Sequence, residues 1–105
     1  HPDCSGHHGP ESSLGHYPAE VYVRWVQFCS LGTILRIHSD NTGRRQPWAL
    51  GNETEGLART FLKMRRALSP TLVAAGLQAS EDGTPLVRRL DFEWPEEPNA
   101  TREDQ

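Results

Sequence analysis

Residues 20–39, EVYVRWVQFCSLGTILRIHS, constrain the fold more than any other stretch. From 19 to 31 apolar residues fill most positions, while Glu20, Arg24 and Gln27 are spaced along one side. That is the pattern of a short amphipathic helix. Pro18 before it and Gly32 after it set its limits. Residues 33–37 then form a β-branched apolar run, too short for a helix and suited to a strand buried on both faces. His38 stands at the C-terminal tip of that run. In α/β proteins such tips are where ligands and catalytic groups sit.

Size limits what can be built around this segment. With 105 residues and 35% hydrophobic content, the chain suits one small domain with a lean core and is too short for a complete α/β barrel. Nine Gly and eight Pro predict short elements separated by loops. The formal net charge of -3 argues against nucleic acid as a default partner. The Arg pairs at 44–45, 65–66 and 88–89 are scattered among acids and read as solvated faces and local ion pairs. No apolar run approaches the roughly 18 residues of a membrane span. No signal peptide is visible, and a chain opening on His1 reads as part of something longer. Cys4 and Cys29 make no disulfide framework. The expectation is two free thiols, with one Cys4–Cys29 bridge as the alternative.

Along the chain, residues 1–18 are a Gly, Pro, Ser and His loop without periodicity. Asn52-x-x-Glu55 is a helix-start signal, in which Asn52 can accept orphan backbone N–H groups. Leu57, Phe61, Met64 and Leu68 then recur as one helical stripe. Pro70 is expected to interrupt that helix, with 72–79 a second helix or a kinked continuation. After the turn at 81–84, residues 85–94 read as a strand. Residues 96–105 are charged and apolar-poor, the composition of a loose tail. The order helix, strand, helix, helix, strand predicts an α/β chain. A lone central strand cannot form a sheet, so 33–37 must pair with 86–92 or with strands outside these residues.

Several short motifs carry a resemblance. Glu20, Tyr22, Arg24-Trp25, Gln27 and Arg36-x-His38 resemble the E-L-Y-x-R-W-x-Q … P-x-x-R-x-H segment of glycoside hydrolase family 31, the α-glucosidase and α-xylosidase family. Asp3-Cys-Ser-Gly-His7 is similar to that family's D-I-G-G-F/H loop, and Pro47-Trp48 to its P-W. Met64-Arg65 with Leu68-x-Pro70, Gly83-x-Pro85-Leu-Val-Arg88 and Phe92-Glu-x-Pro95 are similar to later motifs, in the family's order.

The resemblance implies the C-terminal part of a (β/α)8 barrel over 1–80, the start of a β-sandwich domain over 81–95, and a loose tail over 96–105. It implies a parent enzyme that hydrolyses terminal α-linked sugars with retention, on α-glucosides or α-xylosides, and it calls for no metal and no cofactor. His38 matches a histidine that hydrogen-bonds sugar hydroxyls, and Asp3 and His7 match positions lining the same pocket. A neutral imidazole suits that task because it supplies one donor and one acceptor. Retaining glycosidases also need two carboxyls about 5–5.5 Å apart. The resemblance places both aspartates outside these residues, so the expectation is part of a sugar pocket and none of the bond-cleaving pair.

The chain also departs from the family pattern. Where the family reads F-G-A-F-S-P, this chain has Phe28-Cys-Ser-Leu-Gly-Thr33. Arg66, Thr71 and Val73 replace three tyrosines, and Arg89 replaces a proline. Plainer roles compete for the same residues: a structural histidine at 38, a turn-forming Asp3, a surface His7, and packing for Glu20, Arg24, Trp25 and Gln27. The rival function is a small metal-binding or protein-interaction module on the loop holding Asp3, Cys4, His7, His8 and His16. Cys4-x2-His7 is a zinc half-site without a second half. Asn52-Glu-Thr54 and Asn99-Ala-Thr101 are glycosylation sequons, which matter only in a secreted parent.

Overall fold

The computed structural model describes residues 3–4, 18–39 and 44–102. Helix α1 spans Ala19–Ser30, a 3-10 turn spans Pro47–Leu50, helix α2 spans Asn52–Asp82, and a short helix α3 spans Leu90–Glu93. The α1 boundaries follow the expected signals. Tyr22 N–H donates to the Pro18 carbonyl at 3.1 Å, and at the far end Gly32 N–H donates to Cys29 at 3.1 Å in a tightened last turn.

Helix α2 runs 31 residues without a break. A rise of about 1.5 Å per residue gives it a length near 46 Å, which accounts for the 48 Å long dimension of the molecule. Its start differs from expectation: Gly51 is the N-cap at φ 98°, and Asn52 is already helical with no side-chain cap. The positive φ needs glycine. Thr54 Oγ1 donates to the Leu50 carbonyl at 3.1 Å, and Glu53 and Glu55 place acid in the first turn, favourable against the helix dipole. Pro70 sits inside the helix rather than ending it.

The side of α2 that turns inward is also displaced from the expected stripe. Thr54 and Ala58 are buried, and Phe61, Arg65, Leu68, Leu72, Ala75 and Ala79 are half-buried, a helical repeat of i, i+4, i+7, i+11. Leu57 and Met64 lie outside that line and are exposed. Ala58 packs with Tyr22 and Val26 of α1, and Val23, Ile37, Leu50 and Phe61 close over them. The small Ala58 leaves room for Tyr22, and that choice decides which side faces α1. The core is thus lean, as the composition implied, and lies where α1 meets α2.

The expectation of an α/β chain, part of a (β/α)8 barrel with the first strand of a β-sandwich, is overturned. The described residues form helices, with no strand and no sheet among them. Residues 33–37 run extended, but their β pairing is one isolated parallel bridge, Cys4 with Ile37. They do not pair with 86–92, because that region closes on itself. Trp94 N–H donates to Leu90 at 2.8 Å, while Arg88 meets Glu93 at 2.6 Å and Arg89 meets Asp91 at 2.8 Å. Backbone groups without a neighbouring ladder take local hydrogen bonds instead.

The cysteine expectation also fails. Cys4 and Cys29 form a disulfide across 25 residues, with a Cα–Cα distance of 6.1 Å. Both are buried.

Candidate functional site

The residues with most chemistry gather beyond the C-terminal end of α1. The chain leaves Ser30, turns at Gly32 and runs extended to His38. Asp3-Cys4 lies back against this segment. Cys4 N–H donates to the Arg36 carbonyl at 3.1 Å, and the Cys4 sulfur is bonded to Cys29 in the last turn of α1. One residue earlier, Asp3 Oδ1 stands 2.8 Å from His38 Nε2.

This pair is partly shielded, with the His38 side chain 20% and the Asp3 side chain 43% exposed. In the neutral ring with its proton on Nε2, facing the carboxylate, Nδ1 is the acceptor. Asp3 and His38, named from sequence, are therefore brought together. His7 lies outside the described residues, as do His8 and His16. With Cys4 in a disulfide, the Cys4-x2-His7 half-site has lost its thiolate. Among the described residues no group of three His, Cys, Asp or Glu could hold a metal ion.

Two grooves run along α1, apart from the pair. One of about 470 Å³ lies between α1 and α2, bordered by Val23, Gln27, Leu57 and Phe61. The other, of about 440 Å³, is bordered by Val21, Trp25 and Phe28, with the two aromatic rings edge to face at 6.2 Å. Neither includes Asp3 or His38. The expected sugar pocket derived from a barrel is thus not formed by these residues: among the described residues there is no sheet to line it, and the polar pair rests on a helical scaffold. Glu20 and Arg24 form an exposed pair at 3.8 Å, of the kind that contributes little to stability.

Two features escaped the sequence reading. Arg65, expected on a solvated face, places its guanidinium on carbonyls at the end of α1, bonding Gly32 and, at 2.8 Å, Thr33. Arg45, expected likewise, is buried beside exposed Arg44. The disulfide had a signal: its two cysteines stand where the family motifs read Ile and Gly. Among the described residues no helix is long and apolar enough to cross a membrane.

Residues 2–75 match the family profile described as "Glycosyl hydrolases family 31 TIM-barrel domain". The chain belongs to glycosyl hydrolase family 31. It is 31% identical to a 1,6-alpha-glucosyltransferase of Sporosarcina globispora over 89% of its own length and 7% of the relative's. It is 36% identical to an alpha-xylosidase of Emericella nidulans over 79% of its length and 10% of the relative's. It is 33% identical to alpha-glucosidase 2 of Bacillus thermoamyloliquefaciens over 77% and 10%. The aligned part of the chain therefore spans a tenth or less of these relatives. Family membership holds, while the described residues keep a helical arrangement.

Proposed function

We propose that this chain serves an enzyme acting on O-glycosyl bonds of α-linked sugars, an α-glucoside or α-xyloside, and that the 105 residues alone do not turn such a substrate over. The observation that carries this is the family match over residues 2–75. Relatives named for xylosidase, glucosidase and glucosyltransferase activity support glycosyl chemistry as the common class. Hydrolysis rather than transfer to another sugar is the reading the glycosidase names favour. Asp3 and His38 are the residues proposed to meet sugar hydroxyls. Their 2.8 Å contact supports this, because a coupled carboxylate and imidazole offer the donors and acceptors hydroxyls need. The proposal involves no barrel pocket, only a polar pair tied onto helices.

The test has two arms. Incubation of the purified chain with a chromogenic α-glucoside should release no more chromophore than buffer, and turnover would overturn the inactivity. Methyl α-glucoside or methyl α-xyloside, titrated into isotope-labelled protein, should shift the His38 ring signals. Saturating sugar without any shift would remove Asp3 and His38 from the proposal.

A further inference from the structure

We propose that the Cys4–Cys29 disulfide is a positioning clamp that holds the Asp3 carboxylate on the His38 imidazole. Its consequence for sugar recognition rests on the reading of that pair given above. The clamp itself stands on geometry.

Both members of the pair depend on the C-terminal end of α1. His38 follows from it through residues 31–37. Asp3 is attached to it covalently, because Cys4 is bonded to Cys29, which lies in the last turn of α1. That turn is itself held in place. Tyr22 and Val26 pack on Ala58 of α2, and Arg65 reaches from α2 to the carbonyls of Gly32 and Thr33. The backbone pairing of Asp3-Cys4 with 36–38 includes one isolated bridge and the Cys4 N–H bond to Arg36, and it is not part of a sheet among the described residues. Even two paired strands are marginal in water without further support. A covalent link one residue from Asp3 removes the entropy that would otherwise carry the segment away.

The sequence adds an independent observation. Cys4 falls where the family motif D-I-G-G has Ile, and Cys29 falls where F-G-A-F has Gly. Two separate departures meet in one bond. Drift without constraint gives no reason for both to be thiols, or for both to lie within bonding reach. Cys4 and Cys29 are 0% and 1% exposed, so the bond is sheltered from external thiols and behaves as a permanent fixture.

The experiment compares the unaltered chain with Cys29→Ser and Cys4→Ser, using amide hydrogen exchange and the His38 ring nitrogen signals. Thiol titration of the non-reduced protein after unfolding in guanidinium should find no free thiol, and two would overturn the clamp. In each variant, exchange at residue 4 should accelerate by roughly tenfold or more, while the Val26 and Ala58 amides keep their protection. The His38 signals should move to those of an Asp3→Asn variant with its disulfide intact. Unchanged exchange at residue 4 with unchanged His38 signals would overturn the proposal. Equal acceleration throughout both helices would also overturn it, since the bond would then be a general stabiliser. Should Cys29→Ser fail to fold, Cys4→Ser, whose lesion lies outside the helices, decides alone. Methyl α-glucoside separates the two readings. No response in the unaltered chain overturns hydroxyl binding and leaves the clamp to the exchange data. A response kept undiminished in the serine variants overturns the positioning role.

Discussion

Arg65 of α2 donates from Nη2 to the Thr33 carbonyl at 2.8 Å, and from Nη1 to Gly32 and, at 3.4 Å, to Ser30. The last carbonyls of α1 have no partners within their own helix, and a guanidinium is a charge-assisted, forked donor suited to them. The contact joins the two helices at the end opposite the Pro18 start of α1. Replacing Arg65 by Ala should lower stability by about 1.5–3 kcal/mol, read as a lower urea midpoint with an unchanged slope. Arg65→Lys should recover only part of the loss, since one ammonium cannot span three carbonyls. A full recovery would show that charge alone carries the contact.

Ala58 tests how the core is assembled. It is fully buried and packs with Tyr22 and Val26. Leucine at 58 is nearly as good a helix former as alanine, so propensity changes little, while its bulk would crowd Tyr22. The cost of overpacking should win, with a loss of about 1–3 kcal/mol. Thermal unfolding of Ala58→Leu beside a control substitution at exposed Ala74 would measure it. A stabilised Ala58→Leu would mean that the helices separate freely.

Helices α1 and α2 were legible because their signals are local, whereas α3 lies in a segment read as a strand. Pro18 and Gly32 bracket α1, and Gly83 in the left-handed region closes α2. The register of α2 was not legible. Leu57 and Met64 are larger and more apolar than Thr54 and Ala58, and hydrophobicity alone favours the wrong side. What decides is the space Tyr22 needs and the reach of Arg65, both properties of a neighbour distant in sequence. The strand expectations failed for a related reason. Residues 33–37 and 85–94 have strand-like composition, but a strand exists only with backbone to pair against, and here one bridge is all that forms among the described residues. For the site, resemblance named Asp3 and His38, and the structure puts them in contact. The bond that brings them together joins residues 25 apart, a distance over which two cysteines alone do not specify pairing.

Pro70 makes a further prediction. It lies within the continuous α2 and has no N–H to give the Arg66 carbonyl. Ser69 Oγ, one residue before, donates to Arg65 at 3.2 Å. The proline therefore weakens the helix without ending it. Pro70 is exposed, so alanine there meets no packing constraint and should restore the missing bond. A gain of up to about 3 kcal/mol is expected, together with slower amide exchange from 71 to 76. An unchanged or lower stability would show that the proline ring makes contacts worth more than the bond.

The end of α2 should respond to acid. Gly83, at φ 78°, closes the helix through its N–H bond to Ala79, and Thr84 N–H donates to Asp82 Oδ1 at 2.8 Å. The bonds from Thr84, backbone N–H first and hydroxyl second, hold the Asp82 carboxyl below its ordinary range. A carboxyl depressed in the folded chain contributes its stabilisation fully above its unfolded value. That contribution is lost as pH falls through the lower folded one. The Thr84 amide signal should therefore stay constant from neutral pH through the ordinary carboxylate range, then titrate below it as the C-terminal turn frays. In Asp82→Ala the same signal should show no such transition. A midpoint at or above the ordinary range in the unaltered chain would mean that Thr84 does not hold the carboxylate in solution.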